Sequence, residues 1–295
     1  MLFSATNSIV ITPFYPALVG LITTTALLSL SCGSYIMFWA LIELNIIRFL
    51  GVLMLNFFKS NKGEGIVYLI VQGVSSIFIL RALIIVPHLR MRVSSLIIFF
   101  FILVKLGAAP VHFWYFWIIE NLSWDIFFYV SSIQKFLPLI FLGFFTNSGL
   151  IYVIYLTAGV GAVGAILSKK IMCIIGYSSL LILGWLIPLS NSLLVMLFVY
   201  FTYTVNLIVV RILFEEINWG NLSIINVKFW NYMQGVNLSV GLFRFIGVPL
   251  TLGFIGKFYG LTVILRLRLN VRIFLLIISG TILWIYSRIL FNRWK

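Results

Sequence analysis

The feature that most constrains this chain is a series of apolar runs, each about 20 residues long, joined mostly by short polar connections. A helix needs roughly 20 apolar residues to cross a bilayer, and lipid tolerates no open sheet edge. Charged residues make up 9% of the chain, against about a quarter in a soluble domain, which excludes a soluble enzyme. The sequence therefore predicts an all-α polytopic membrane protein.

About ten transmembrane helices are predicted from the spacing of charges and turn residues between the apolar runs. They lie near residues 8–29, 35–57, 65–86, 93–118, 125–146, 149–168, 171–189, 192–213, 238–264 and 271–291. The loop charges are too evenly distributed between the two sides for the positive-inside rule to orient the chain. No basic region precedes the first span, so neither a cleavable signal nor a transit peptide is expected.

The net charge of +14 raises the alternative of a nucleic-acid-binding protein. The basic residues stand singly between apolar runs and form no basic stripe, so no nucleic-acid partner is predicted. The two cysteines, Cys32 and Cys173, lie far apart without a Cys/His cluster, which argues against a metal site and a disulfide. The GxGxxG match at Gly159–Gly164 lies within a span, so it is interpreted as a close-packing helix face rather than a dinucleotide site.

Two of the predicted spans are expected to be broken. The fourth contains Lys105-Leu-Gly-Ala-Ala-Pro110, and the ninth contains Gly247-Val-Pro-Leu-Thr-Leu-Gly253 followed by Lys257. Proline removes a backbone donor and clashes with the preceding turn. A simple packing kink is the alternative for either span. A lysine beside each break instead favours an ion pathway, because interrupted helices at corresponding places in two halves are typical of inverted-repeat transporters.

Four ionisable residues lie well inside the predicted spans: Glu43, Lys105, Lys135 and Lys257. Each costs roughly 2.5–3.5 kcal/mol if it is placed at the centre of a membrane helix. A lysine near a helix end can extend its ammonium group to the interface, but Lys135 lies near the middle of its predicted span. Such residues are functional by default, and they are expected to face a polar interior.

Proton relay is the chemistry that suits these four residues. Burial disfavours an ammonium group and a nearby carboxylate favours it, so a Glu–Lys pair that forms and separates would make the lysine hold and release a proton. Lysine can do this, whereas arginine stays charged. His112 is a further candidate that would bridge Lys105 to its neighbour through water; a satisfied packing residue is the alternative. The arginines in or near spans are interpreted as structural or interfacial: Arg48, Arg81, Arg211 and Arg244.

Several segments, in the same order along the chain, resemble one family. They are Trp39-Ala-Leu-Ile-Glu43-Leu-Asn45, Lys105-Leu-Gly-Ala-Ala-Pro-Val-His-Phe-Trp114, Gln134-Lys135-Phe-Leu-Pro138, Lys170-Ile-Met-Cys-Ile-Ile-Gly-Tyr-Ser-Ser179 with Gly184-Trp185, and the second break through Lys257. The family is chain 2 of mitochondrial NADH–ubiquinone oxidoreductase (respiratory complex I). The stretch around Lys105 is the most specific.

The resemblance implies an antiporter-like fold that lacks the first three helices of the bacterial form. It implies a single transmembrane domain, residues 1–295, with an approximate first inverted repeat at 8–146 and a second at 149–291. On this pattern Glu43 is the pairing carboxylate, Lys105 the pumping lysine and Lys135 the connecting lysine, and Lys257 serves the exit half. Two departures weaken the second half: Ile182 stands where the family usually has a histidine, and the second break keeps only Pro249 of its usual pattern.

The implied function is proton translocation in the membrane arm, coupled to quinone reduction elsewhere in the complex. The chain would act as a subunit of an H+-translocating NADH:ubiquinone reductase in the mitochondrial inner membrane, with no redox site of its own. Its expected partners are other membrane-arm subunits, including neighbouring antiporter-like ones, and phospholipids. No cofactor or metal is expected in this chain, since NADH, flavin, iron–sulfur clusters and quinone belong to other subunits. A non-conducting scaffold and a stand-alone cation/proton antiporter are the alternatives.

Overall fold

The computed structural model describes residues 20–57, 63–85, 91–120, 122–145, 150–215, 240–241, 251–264 and 269–291. Twelve helices in this part of the chain carry labels here: α1 Gly20–Ser29, α2 Tyr35–Phe57, α3 Glu64–Ile85, α4 Met91–Leu106, α5 Phe113–Ile119, α6 Trp124–Ser131, α7 Ile133–Gly143, α8 Leu150–Leu167, α9 Ile171–Leu189, α10 Leu193–Glu215, α11 Leu252–Ile264 and α12 Leu269–Phe291.

The helices have the length and surface of membrane spans. Seven stretches of the described residues, with α6 and α7 taken together as one, are long and apolar enough to cross a bilayer, and α1, α4 and α11 are shorter apolar helices. Large apolar side chains such as Leu27, Tyr152 and Leu194 are exposed, as expected where lipid rather than water surrounds a helix. The prediction of an all-α multi-pass membrane protein is confirmed.

Two compact units divide the chain. The first comprises residues 1–106 with 133–141, and the second comprises residues 107–132 with 142–295. In the first unit, α3 packs against both α2 and α4. Stacked aromatic pairs stabilise this unit, with ring centroids 5.2 Å apart for Phe38 and Phe141 and 4.5 Å apart for Phe78 and Phe101. The predicted repeat boundaries stay a prediction.

Small residues hold α8 and α9 together in the second unit. A Cβ atom added at Gly184 would lie 2.8 Å from the Cβ of Ala158, and one added at Gly161 would lie 3.0 Å from the carbonyl oxygen of Tyr177. Both distances are too short for an ordinary contact, so the two helices approach this closely only with glycine. The GxGxxG match is therefore part of a helix-packing face, as interpreted from the sequence.

The predicted break in the fourth span is present. Helix α4 ends at Leu106 and α5 begins at Phe113. Gly107 follows α4 with a φ of 66°, in the left-handed region that favours glycine because it lacks a Cβ atom. A Cβ there would also lie 3.1 Å from the Cβ of Tyr115. The second predicted break, at Gly247 and Pro249, lies outside the described residues.

One predicted span is interrupted where the sequence indicated a continuous helix. The span at 125–146 consists of α6 and α7, which meet at Ser132 with a φ of −112° and a ψ of −88°. The hydroxyls of Ser131 and Ser132 donate to the carbonyls of Phe127 and Phe128, a competition with backbone bonding that bends helices. The Tyr200 hydroxyl donates to the carbonyl oxygen of Ser132, so this carbonyl at the break between α6 and α7 has a hydrogen-bond partner.

Candidate functional site

A buried ion pair lies in the first unit, between α2 and α4. The Lys105 Nζ lies 2.9 Å from Oε1 of Glu43, and the Lys105 side chain is 1% exposed against 22% for Glu43. Lys105 is in the last turn of α4, where the helix dipole favours a cation. The two residues are 62 positions apart in the chain, so the fold brings together a carboxylate and an ammonium that the sequence marked separately.

Gln72 on α3 binds Lys105 at both ends of the residue. Its backbone carbonyl accepts from the Lys105 Nζ at 3.3 Å, and its side-chain Nε2 donates to the Lys105 carbonyl at 3.2 Å. Gln72 is buried, and it is not among the residues predicted from the sequence. The signal for it was an amide side chain within an otherwise apolar span, the same kind of signal that marked the charged residues.

A second set of polar side chains lies in the same unit. The Gln134 Oε1 accepts from the Tyr68 hydroxyl at 3.2 Å and from Asn45 Nδ2 at 3.5 Å. Tyr68 and Gln72 are one helical turn apart on α3, so they lie on one face of that helix. Lys135 follows Gln134 on α7 and is 4% exposed. The first unit therefore holds Glu43, Lys105 and Lys135, three of the predicted site residues, and it adds neutral hydrogen-bonding groups beside them.

His112 belongs to the second unit, in the loop that separates α4 from α5. Its Nδ1 lies 3.1 Å from the carbonyl oxygen of Pro110, and its ring lies 4.3 Å from that of Phe113 and 5.9 Å from that of Phe116, centroid to centroid. The ring is thus oriented by its own loop and by aromatic neighbours. These contacts match the packing interpretation of this histidine, and its relay role stays a prediction.

Lys257, the remaining site residue, lies on α11 and is half-buried. It lines a cavity of about 20 Å³ in the second unit. The other described residues around the cavity are uncharged: Ile182 and Trp185 on α9, Val199, Thr202, Tyr203 and Asn206 on α10, and Gly253 on α11. Ile182, at the position where the resemblance expects a histidine, thus lies in the wall of the same cavity as Lys257.

The other described ion pairs lie nearer the surface. Arg211 pairs with Asp125, each side chain being 30% exposed, and its guanidinium lies 5.9 Å from the ring centre of Phe128. These contacts support a structural role for Arg211. The Lys170 Nζ lies 2.7 Å from Oε2 of Glu120 at an exposed position in the connection before α9, and this hydrogen bond raises the pKa of Lys170.

Neither a metal cluster nor a disulfide is found in the described part of the chain. Among those residues no group of three or more His, Cys, Asp or Glu is arranged to hold a metal ion. Cys32 and Cys173 are free thiols. The side chains at the candidate site supply an ammonium, a carboxylate, amides and a hydroxyl.

The arrangement of the helices is similar to that of chains in two solved multi-subunit complexes. The chain superposes on a chain of respiratory complex I from Thermus thermophilus with a TM-score of 0.71 and 16% identity, over 84% of this chain and 63% of that one. It superposes on a chain of the Mrp complex from Dietzia sp. with a TM-score of 0.79 and 17% identity, over 95% and 60%. The chain thus spans about three fifths of the solved chains it matches, and its fold is antiporter-like, as predicted.

Comparison of the sequence with named proteins finds several relatives that share one name. The chain is 28% identical to NADH-ubiquinone oxidoreductase chain 2 of Artemia franciscana over 237 residues, which cover 80% of this chain and 75% of the relative. Relatives with the same name in other animals are 24–29% identical over comparable lengths. A comparison with protein-family models finds no match. The resemblance to chain 2 that the motifs indicated is confirmed.

Proposed function

We propose that this chain is a proton-translocating membrane-arm subunit of NADH:ubiquinone oxidoreductase, and that Glu43 and Lys105 form its proton-loading pair. The observation that carries the proposal is the 2.9 Å contact between a fully buried lysine and a carboxylate inside the apolar spans. The names of the relatives support assignment to this complex. The antiporter-like fold is compatible with ion movement.

The contact can control a proton because of its electrostatics. Two opposite unit charges about 3 Å apart attract each other by on the order of 5 kcal/mol at an effective dielectric constant of about 20. Each 1.4 kcal/mol is a factor of ten in a protonation equilibrium. With Glu43 in contact, Lys105 holds its proton; when the carboxylate moves away, the buried ammonium loses both its counter-charge and the solvation it left behind, and it releases the proton.

Gln72 holds the lysine of this ion pair in position. Because it binds both the Lys105 Nζ and the Lys105 carbonyl, it keeps the lysine in place while the distance to Glu43 changes. The break that follows Leu106 supports the same role, since a helix end leaves carbonyls without intrahelical partners. The Gln72 amide donates to one of them, that of Lys105. A small displacement of α2 would then change the protonation of Lys105 without unfolding α4.

The released proton needs acceptors along the chain. Lys135 in the first unit and Lys257 in the second are the proposed next carriers, with His112 as an additional relay group. Each is an amine or imidazole, which can accept and release a proton. The proposed driving force is a conformational change passed from neighbouring subunits during quinone reduction, as the resemblance to chain 2 implies.

We also propose a membrane location, partners and a parent complex for the chain. It would lie in the mitochondrial inner membrane, bound to other membrane-arm subunits and to phospholipids, and it would take part in NADH:ubiquinone reduction as a subunit. NADH, flavin, iron–sulfur clusters and quinone would be bound by other subunits. These assignments follow the names of the relatives and the apolar, exposed surfaces of the helices.

The test is proton pumping by the assembled complex in proteoliposomes, with Lys105→Met in this chain. We expect NADH oxidation without the full number of protons pumped per electron, because methionine matches the length of the lysine stem and cannot carry a proton. Arg81→Met is the matched control, since Arg81 is an exposed basic residue on α3. Normal assembly with unchanged pumping in Lys105→Met would instead favour the non-conducting scaffold.

A further inference from the structure

Two of the residues that line the cavity beside Lys257, Trp185 and Asn206, each carry a buried polar atom that needs a partner. Within the described residues, neither the indole Nε1 of Trp185 nor the side-chain Oδ1 of Asn206 has a hydrogen-bond partner. Trp185 is 1% exposed and Asn206 is 3% exposed, so bulk solvent does not reach them. Buried polar groups are almost always hydrogen-bonded, and each exception requires an explanation such as a bound water.

The size and chemistry of the cavity fit one water molecule. Its volume is about 20 Å³, above the roughly 10–15 Å³ that one water needs. Buried waters typically make about three hydrogen bonds, whereas apolar cavities stay dry. The indole N–H can only donate and the amide oxygen can only accept, so a single water can accept from Trp185 and donate to Asn206 at the same time.

Helical spacing explains why these groups meet at one place. Val199, Thr202, Tyr203 and Asn206 lie at positions i, i+3, i+4 and i+7 of α10, which form one face of a helix. Ile182 and Trp185 are one turn apart on α9, as are Gly253 and Lys257 on α11. The three helices pack against one another. The cavity is therefore built from three packed helices, and Trp185, Asn206 and Lys257 are among its lining residues.

We propose that this cavity is a water-binding site, in which Trp185 and Asn206 hold a water next to Lys257 and Asn206 acts as a positioning residue for proton transfer. The site supplies a hydrogen-bonding group where Ile182 provides none. The water retains one lone pair for the Lys257 ammonium and one hydrogen for a hydroxyl of Thr202 or Tyr203. This inference rests on the proposed function, because it gives Lys257 a proton partner within the second unit.

The first experiment locates the water. A density map of the assembled complex, at a resolution that shows ordered water, is expected to contain a peak within hydrogen-bond distance of both Trp185 Nε1 and Asn206 Oδ1. The peak is expected to disappear in Asn206→Leu, which keeps the volume and removes the oxygen. A wild-type map without density at this place would overturn the inference.

The second experiment measures protons pumped per electron in the same complexes. Asn206→Leu is expected to pump at least twofold fewer protons per electron, and Asn206→Thr, which keeps a side-chain oxygen, is expected to recover most of the loss at equal assembly. Thr204→Val is the control, since Thr204 lies on α10 outside the cavity. Equal pumping by the leucine and threonine variants would contradict a positioning role that depends on the oxygen.

Lys257→Met separates this inference from the function on which it rests. Unchanged pumping in Lys257→Met would overturn the proposed role of Lys257, and with it any transfer through the water. Reduced pumping in Lys257→Met together with normal pumping in Asn206→Leu would leave the relay role of Lys257 standing and would overturn the role of Asn206.

Discussion

The two units each place a lysine among buried groups, but they surround it differently. In the first, Lys105 contacts a carboxylate and is bound twice by Gln72. In the second, Lys257 lines a small cavity, and the other described residues of its lining are uncharged. The two lysines therefore differ in what the described residues place beside them: a carboxylate in direct contact with Lys105, and a cavity with room for water next to Lys257.

This difference predicts that Lys105 and Lys257 serve different steps of proton transfer. A lysine held by a movable counter-charge changes its protonation when that charge moves, which suits a step that is driven. A lysine beside a cavity with room for water can exchange a proton with that water, which suits a step that passes a proton onward.

The largest expected effect is on pumping by Lys105→Met compared with Lys257→Met. Removing a proton-transfer group typically costs about 10²–10⁴-fold in the rate of the step, so we expect Lys105→Met to nearly abolish transfer through this chain and to lower the protons pumped per electron by the share that this chain contributes. The loss for Lys257→Met should be smaller, since water in the cavity can still conduct part of the flow. Proton uptake by proteoliposomes checks this, and a larger loss at Lys257 would reverse the assignment of the driven step.

The second prediction concerns stability. Removing one partner of a buried ion pair costs about 3–5 kcal/mol, and because Glu43 is 22% exposed we expect about 2 kcal/mol for Glu43→Gln. The double variant Glu43→Gln with Lys105→Met should recover much of this loss, because it leaves no uncompensated charge. Thermal unfolding midpoints of the assembled complex measure both variants. A double variant less stable than Glu43→Gln would show that the pair is not the source of the effect.

A third, smaller effect is expected at Gln72. Gln72→Leu removes the donor to the Lys105 carbonyl, and a lost buried hydrogen bond costs about 1–3 kcal/mol. The thermal midpoint of the complex should fall by less than in Glu43→Gln. Val74→Leu, at an exposed position on the same helix, is the control, and equal changes in the two variants would argue against a specific bond.

The smallest effect is expected at the exposed pair of Lys170 and Glu120. Exposed ion pairs contribute about 0–1 kcal/mol, so Glu120→Gln should change the thermal midpoint little. Because Glu120 raises the pKa of Lys170 above its ordinary value of 10.5, the contribution of the lysine is fully present below that value and is lost only as the pH rises above it. The difference between wild type and variant should thus stay constant from pH 7 to pH 9, and a steep change in that range would contradict the account.

Local sequence signals predicted the features that depend on single segments. The apolar runs indicated the spans, and glycine with proline after Lys105 indicated the break at Leu106. Ser131 and Ser132 carry a weaker signal, since serine is tolerated in helices, and the interruption at Ser132 was missed because its partner, Tyr200, lies 68 positions away. The pairing of Glu43 with Lys105 was implied by the resemblance alone. No local pattern indicated that Trp185, Asn206 and Lys257 line one cavity.

Proton loading by the Glu43–Lys105 pair is tested most directly by the number of protons pumped per electron by the complex with Glu43→Gln. If the carboxylate loads Lys105 with its proton, removing its charge takes away the group that attracts that proton, so fewer protons should be pumped per electron than by the wild-type complex. A ratio equal to wild type, in a fully assembled complex, would contradict proton loading by the Glu43–Lys105 pair.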